Sequence, residues 1–316
     1  MAALRVVFFG TPAFAVPTLD AILRSSHPVV AVVTQPDRPR GRGQQTADAP
    51  VKARAVATGL PVLQPTKLKD PATLDALRST GADIGVVAAY GRLVPPSLLE
   101  WPRLGLINVH ASLLPRHRGA APVHRAILSG DRETGITIMR LVEALDAGPM
   151  LAKTSRLIRA DETSADLESS LATMGATLLV DVLDRLTRGP VPEEPQDDSR
   201  ATYAPRLTKA DSPVNWSNTA QAVHNQIRGL HPWPLAESWL RGERLILRRS
   251  ALAEGSLGPA HPGTVLTARG DELCVAAADG VVRLLEVQRE GKRPMSARDF
   301  LAGHAVTPGE QLTSSR

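Results

Sequence analysis

One cysteine, Cys274, stands in a chain of 316 residues. A lone thiol excludes a disulfide within the chain and a thiolate metal cluster, and it suits a reducing compartment. It lies in the strand-like run Glu272-Leu-Cys-Val-Ala-Ala277, where it reads as a small buried hydrophobe. Aromatic residues are also scarce, at 3%, so the core must be built from Val, Leu, Ile and Ala within a hydrophobic content of 43%. No apolar run approaches the roughly 20 residues that span a bilayer. The N-terminal Leu4-Arg-Val-Val-Phe-Phe9 is too short for the apolar region of a signal peptide and has no small-residue cleavage site behind it. The expected location is the cytoplasm of a bacterial-type cell, with no membrane partner. The eight histidines show no spacing such as His-Glu-x-x-His, so no metal is expected. His117 and His124 flank the central loop and read as residues that cap or cover it. Gly10-Thr-Pro12 is a tight turn after the first strand and lacks the Gly-x-Gly-x-x-Gly pattern, which argues against a dinucleotide cofactor. There is no internal repeat.

The chain is comfortable for two domains. Its first half alternates apolar runs, at 5–9, 29–34, 83–89, 105–110 and 136–141, with helical stretches at 18–25, 51–58, 73–79 and 123–128. That alternation predicts an α/β fold with a Rossmann-like, mostly parallel sheet covered on both faces. Ligands of such sheets lie beyond the carboxyl ends of the strands. A long helix follows from Thr163, with Leu167, Leu171, Met174, Leu178, Val182 and Leu186 forming one apolar stripe and Gly189-Pro190 as its stop. The expected domains are 1–189, a Pro-rich linker over 190–211, and 212–316. The last has short alternating runs at 236–240, 244–248, 263–267, 273–277 and 281–288, which suggest a small OB-like β-barrel. The formal net charge of +5 favours a polyanionic partner without proving one.

The most informative segment is Asn108-Val-His-Ala-Ser-Leu-Leu-Pro-Arg-His-Arg-Gly-Ala-Ala-Pro122. The run Leu104–His110 leads into it as a buried strand. Alternation along that strand puts Asn108, His110 and Ser112 on one face. An amide beside an imidazole supplies hydrogen-bond donors next to a possible acid or base. Asp146, in Leu145-Asp-Ala-Gly148, follows a second apolar run, Ile136–Met139, and can be delivered from a neighbouring strand end to orient His110. Each piece alone also fits something plainer: Asn-x-His a hydrogen-bonded pair, Asp-Ala-Gly a turn. The ordered ensemble resembles the 10-formyltetrahydrofolate-dependent formyltransferases. That resemblance implies a formyltransferase domain in which Asn108, His110 and Asp146 are the catalytic trio and Ser112, Leu113, Leu114 and Pro115 contact folate. Ala144 stands where the family often has glycine.

After the second strand comes Thr34-Gln-Pro-Asp-Arg-Pro-Arg-Gly-Arg-Gly43. Its Pro and Gly content excludes a helix or a central strand. It reads as an exposed loop whose Arg38, Arg40 and Arg42 either hold phosphates or are simply solvated. This loop, with Tyr203-Ala204, Pro232-Trp-Pro234, Pro262-Gly-Thr264 and Gly291-Lys-Arg-Pro-Met-Ser296, resembles the branch of the family that acts on methionyl initiator tRNA. The resemblance implies a monomeric enzyme of translation initiation. Its co-substrate is 10-formyltetrahydrofolate, its partner is the charged tRNA, and Arg38, Arg40 and Arg42 contact that tRNA. Asn108 and His110 would donate to the oxyanion, and Asp146 would orient His110. The proton carrier stays open among Asp146, His110 and water. Two other readings also stay open. One is a related enzyme on the same scaffold, either a hydrolase of 10-formyltetrahydrofolate or a nucleotide-sugar formyltransferase. The other is a nucleic-acid-binding module without catalysis.

Overall fold

Several prolines of this chain stand at helix starts. Proline occupies the first turn of the helices Val16–Arg24, Pro50–Ala57, Pro71–Arg78 and Pro96–Leu99. There its missing N–H costs no hydrogen bond and its fixed φ favours helix. The computed structural model describes residues 3–37, 48–255 and 257–316, and the backbone of Pro39–Arg40 and Gln45–Thr46. Two compact units emerge. The first comprises Met1–Pro122, Glu133–Arg156 and Glu168–Ala204, and the second Val123–Arg132, Leu157–Leu167 and Pro205–Arg316.

The first unit is built on a seven-stranded sheet. Its order is Met150–Leu157, Glu133–Arg140, Leu106–His110, Ile84–Ala88, Val6–Gly10, Val29–Val33 and Val62–Leu63. Val6–Gly10 and Ile84–Ala88 are buried at every residue, as strands covered on both faces must be. The five strands from Leu106–His110 to Val62–Leu63 pair in parallel. Glu133–Arg140 runs antiparallel to Leu106–His110, with His110 opposite Thr137 and Ile107 opposite Arg140. The sheet is therefore mostly parallel, and the strand expected over 136–141 has the opposite direction to its neighbour. An apolar run carries no mark of direction. Val62–Leu63 and Met150–Leu157 were not among the expected strands. From Ala152 to Leu157 the second alternates half-buried and exposed residues, as an edge strand does.

The long helix spans Ser164–Leu186, and Thr163 caps it: its backbone N–H and Oγ1 both donate to Asp166 Oδ2, at 2.9 and 2.7 Å. These bonds hold the Asp166 carboxyl below its usual pKa. The buried line differs from the expected stripe. Met174 and Leu178 are only half-buried, whereas Ala172, Gly175, Ala176 and Leu179 are buried. A β-carbon on Gly175 would lie 2.7 Å from Val109 Cγ1, so small residues let the helix close on the sheet.

The second unit carries an antiparallel sheet in the order Val265–Arg269, Glu272–Ala276, Val281–Arg289, Glu243–Ala253, Ala236–Leu240 and Leu312–Thr313. Its two edges meet: Val265 N donates to Glu310 O at 2.7 Å and Leu312 N to Gly263 O at 2.8 Å. That contact closes the sheet into a small barrel and removes its open edges. The helix Ala220–Gly229 lies on the barrel strand Glu243–Ala253. Five arginines of the barrel are already paired: Arg241 with Glu310, Arg244 with Glu237, Arg248 with Glu286, Arg283 with Asp271, and Arg289 with Glu243. Cys274 is half-exposed on its strand rather than buried as expected, because Leu273 and Val275 take the inner face.

Candidate active site

The strand Leu106–His110 ends at His110, and the chain then folds back on itself. Ser112 Oγ donates to Arg116 O at 2.6 Å, and Arg116 N donates to Leu113 O at 3.1 Å. Thr137 Oγ1 braces the bend, donating to Ser112 O at 2.8 Å and accepting from Leu114 N at 3.2 Å. The bend brings the His117 carbonyl to His110 Nε2, at 3.0 Å. A carbonyl can only accept, so Nε2 carries the proton and Nδ1 is the nitrogen left for other work. Nδ1 faces Asp146 Oδ2 at 3.8 Å, beyond hydrogen-bond range, with the His110 side chain 5% and the Asp146 side chain 15% exposed.

Asp146 arrives by a different route from the expected one. Its strand runs antiparallel, so Arg140 ends beside Ile107, and the loop after it must return to reach His110. Asp146 sits in the left-handed region at φ 49, and Oδ2 accepts from Gly119 N at 2.9 Å. Its Oδ1 has no partner among the described residues. Asn108 lies two residues before His110, on the same strand face. It is half-exposed, and its amide likewise has no partner among the described residues.

One loop thus grips both ionisable groups, His110 through the His117 carbonyl and Asp146 through the Gly119 amide. A strap from later in the chain holds that loop. Tyr203–Ala204 pairs in parallel with Arg118–Gly119. His117 N donates to Thr202 Oγ1 at 2.8 Å and Arg118 N to Thr202 O at 2.9 Å. Gln196 ties in the other side. Its Nε2 donates to Asp146 O and Gly148 O, both at 2.8 Å, and its Oε1 accepts from Arg118 Nε at 2.9 Å. Residues 190–204 were expected to be part of a linker, yet they belong to the first compact unit. Gln196, Thr202 and Tyr203 carry no periodicity that sequence reasoning could read.

The chain matches the family model described as Formyl transferase over residues 4–183, and Formyl transferase, C-terminal domain, over 206–305. Methionyl-tRNA formyltransferase of Citrifermentans bemidjiense is 47% identical over 312 residues, covering 99% of this chain and 97% of that protein. The chain belongs to the methionyl-tRNA formyltransferase family. The family enzyme of Paracoccus denitrificans is 48% identical over 303 residues, covering 96% of this chain and 98% of that one. The fold also resembles that of an N-formyltransferase from Helicobacter canadensis, solved with folinic acid and dTDP-3-aminofucose. The TM-score is 0.68 at 18% identity, over 89% of this chain and 99% of that one.

The stretch expected to contact folate is divided by the fold. Ser112 is fully buried with its hydroxyl spent inside the bend, and Leu114 is buried against Met139 and Met150. Leu113 and Pro115 are half-buried. The strand therefore stops before Ser112, which does not share the face of Asn108 and His110 by alternation. Of the loop arginines, Arg38 and Arg42 lie outside the described residues. The backbone of Arg40 pairs with Gln45. The loop's two roots are pinned to one ammonium. Lys52 Nζ pairs with Asp37 on the entry side and with Asp48 on the exit side, the latter at 2.8 Å. Gln64 Nε2 adds bonds to Asp37 Oδ1 and Gln35 O, both at 3.0 Å. The bonds from Lys52 and Gln64 lower the Asp37 pKa. Gln35 Nε2 reaches Tyr90 O at 2.8 Å, joining the loops that follow Val29–Val33 and Ile84–Ala88, the strands on either side of Val6–Gly10. Among the described residues no group of three or more His, Cys, Asp or Glu is placed to hold a metal ion. No described helix is long and apolar enough to cross a membrane.

Two outcomes follow from this geometry. Gly119 has φ 119, and a β-carbon there would lie 2.7 Å from Tyr203 Cε2 and 2.8 Å from Ala204 O. Gly119→Ala must displace the loop, so turnover is expected to fall about a hundredfold, as for misplacements near 1 Å. Single-turnover kinetics on the purified variant check this. Gln196→Ala should lower turnover about tenfold, since the Asp146 loop loses two donated bonds and the Arg118 side chain loses one, while the Gly119 amide still holds Asp146. Gln196→Glu should be worse, because a carboxylate would face the carbonyls of Asp146 and Gly148. Equal activity of the two variants would contradict a role for the donated bonds.

Proposed function

We propose that this chain transfers the formyl group of 10-formyltetrahydrofolate to the amino group of methionine on charged initiator tRNA, for translation initiation. The observation that carries the reading is the pairing of His110 Nδ1 with Asp146 at 3.8 Å, beside the unpaired Asn108 amide on the same strand face. The methionine nitrogen attacks the formyl carbon, and the carbonyl pair moves onto oxygen. The Asn108 amide and the His110 Nδ1–H of the imidazolium donate to that oxyanion. The Asp146 carboxylate sits opposite the imidazolium charge and, through its free Oδ1, takes the proton from the attacking nitrogen. Collapse of the intermediate breaks the bond to N10 of the folate, which receives the proton. The His117 carbonyl keeps Nε2 out of this exchange. Leu113, Pro115 and the backbone around Ser112 and Leu114 contact the folate.

The tRNA is engaged by Arg38, Arg40 and Arg42, on a loop rooted in the Lys52 clamp. The barrel from about residue 212 adds affinity for the tRNA. Full-length likeness to relatives named for this reaction supports the acceptor assignment. The enzyme works as a monomer in the cytoplasm and needs no metal. The test is an acceptor panel with labelled 10-formyltetrahydrofolate: charged initiator tRNA, a nucleotide-linked amino sugar, or no acceptor. Transfer is expected with the charged tRNA only. Formate release without acceptor would indicate a hydrolase, and transfer to the sugar would indicate the other branch of the scaffold.

A further inference from the structure

Two tyrosines occur in the chain, and they are treated in opposite ways. Tyr90 is 1% exposed and packs edge-on against Phe9, with ring centroids 5.7 Å apart. Tyr203 is 63% exposed. Burial of a large aromatic stabilises a fold, and this chain has few aromatics to spend, so an exposed ring beside the reacting groups calls for a ligand. Three observations locate it. Its backbone is fixed: Arg118 N donates to Thr202 O at 2.9 Å, and Ala120 N and Ala121 N donate to Ala204 O at 2.9 and 3.2 Å. Its ring edge lies over Gly119, close enough that only a hydrogen fits between them. The amide of that same Gly119 donates to Asp146 Oδ2 at 2.9 Å. The ring therefore stands one residue from the carboxylate, on a rigid support, with its surface open to solvent.

We propose that Tyr203 is a stacking platform for a nucleobase at the aminoacylated end of the acceptor. An aminoacyl ester places the reacting amine and the base on the same nucleotide, so an amine at Asp146 brings its own base to the rim where Tyr203 stands. Base–aromatic stacking needs only an exposed π-face and tolerates any base. The exposed position of the ring favours the larger, solvent-facing substrate over the pterin. This assignment rests on the proposed tRNA acceptor. It adds a contact that neither the trio nor the arginine loop supplies.

The experiment is steady-state formylation of charged initiator tRNA by Tyr203→Ala, Tyr203→Leu, Tyr203→Phe and the unsubstituted enzyme, at saturating 10-formyltetrahydrofolate. Equilibrium binding of a folate analogue is measured alongside. The Ala and Leu variants should raise KM about tenfold or more, with kcat within about twofold and folate affinity unchanged. The Phe variant should keep the KM of the unsubstituted enzyme, because it keeps the ring. Leu fills the space over Gly119, so a rise in KM with Leu is not a packing defect. An unchanged KM in the Ala variant would overturn the platform, and a Phe variant as poor as Ala would assign the role to the hydroxyl instead. A fall in folate affinity in Ala and Leu would assign the ring to the pterin and overturn the nucleobase assignment. If the unsubstituted enzyme itself fails to formylate charged tRNA, the acceptor reading falls and this proposal falls with it. If it succeeds while Tyr203→Ala matches it, only the platform falls.

Discussion

His110→Ala is expected to reduce single-turnover formyl transfer by about two to three orders of magnitude, with thermal stability little changed. The residue is buried, but its ring makes one hydrogen bond, to the His117 carbonyl, and faces one carboxylate. Alanine removes the oxyanion donor and the ring that faces Asp146 together. Asn108→Ala should cost about a hundredfold, the usual cost of losing one oxyanion donor. Asp146→Asn separates shape from charge. The asparagine oxygen can still accept from the Gly119 amide, so the loop keeps its place, but the negative charge and the proton acceptor are gone. Turnover should fall as far as in His110→Ala while a folate analogue binds as before. Near-normal turnover in any of the three would remove that residue from the chemistry. A collapse of folate affinity in Asp146→Asn would make Asp146 a binding or folding residue.

Changing Arg38, Arg40 and Arg42 to alanine is the second large effect expected. For every phosphate that an arginine no longer neutralises, the salt dependence of tRNA binding should flatten by about one unit of log–log slope. Formylation of the tRNA should fall at least about a hundredfold at moderate salt, and folate-analogue affinity should hold. Arg42, flanked by glycines, should be the most sensitive single position. The Lys52 clamp sets the scale of a useful control. Lys52→Met frees Asp37 and Asp48 at the two roots of the loop, so it should weaken tRNA use without altering the salt slope. If all three single arginine variants match the unsubstituted enzyme in affinity and turnover across a salt series, the loop is a solvated surface feature. The acceptor assignment then rests on the remainder of the chain.

Local pattern places Asn108 and His110 at a strand end and Asp146 just after a second apolar run, and the resemblance to the formyltransferases singles them out as a trio. The arrangement around them was not legible in that way. Nothing in Glu133–Arg140 marks it as antiparallel, and that direction alone decides that Asp146 reaches His110 by a returning loop. Ser112 looked like the next inward position of a strand, but Thr137 and Arg116 end the strand first, through hydrogen bonds 25 and 4 residues away in sequence. The strap is harder still. Tyr203–Ala204 pairs over two residues, too few for any periodicity, and Gln196 lies in a Pro-rich, acidic stretch that has the composition of a linker. On the long helix, Gly175 carries the close approach to Val109, where a stripe of apolar residues points to Leu and Met. Side-chain alternation and helical spacing are short-range signals, whereas the site is assembled from contacts between residues as far apart as Gln196 and Asp146.

The most direct measurement follows the labelled formyl carbon through one turnover with charged initiator tRNA, in the unsubstituted enzyme and in Asp146→Asn. The label should appear on the amino nitrogen of methionine with unsubstituted enzyme, one equivalent per active site. It should stay on the folate in Asp146→Asn, although both substrates still bind. Label recovered as free formate, or transferred equally well by Asp146→Asn, would contradict the account.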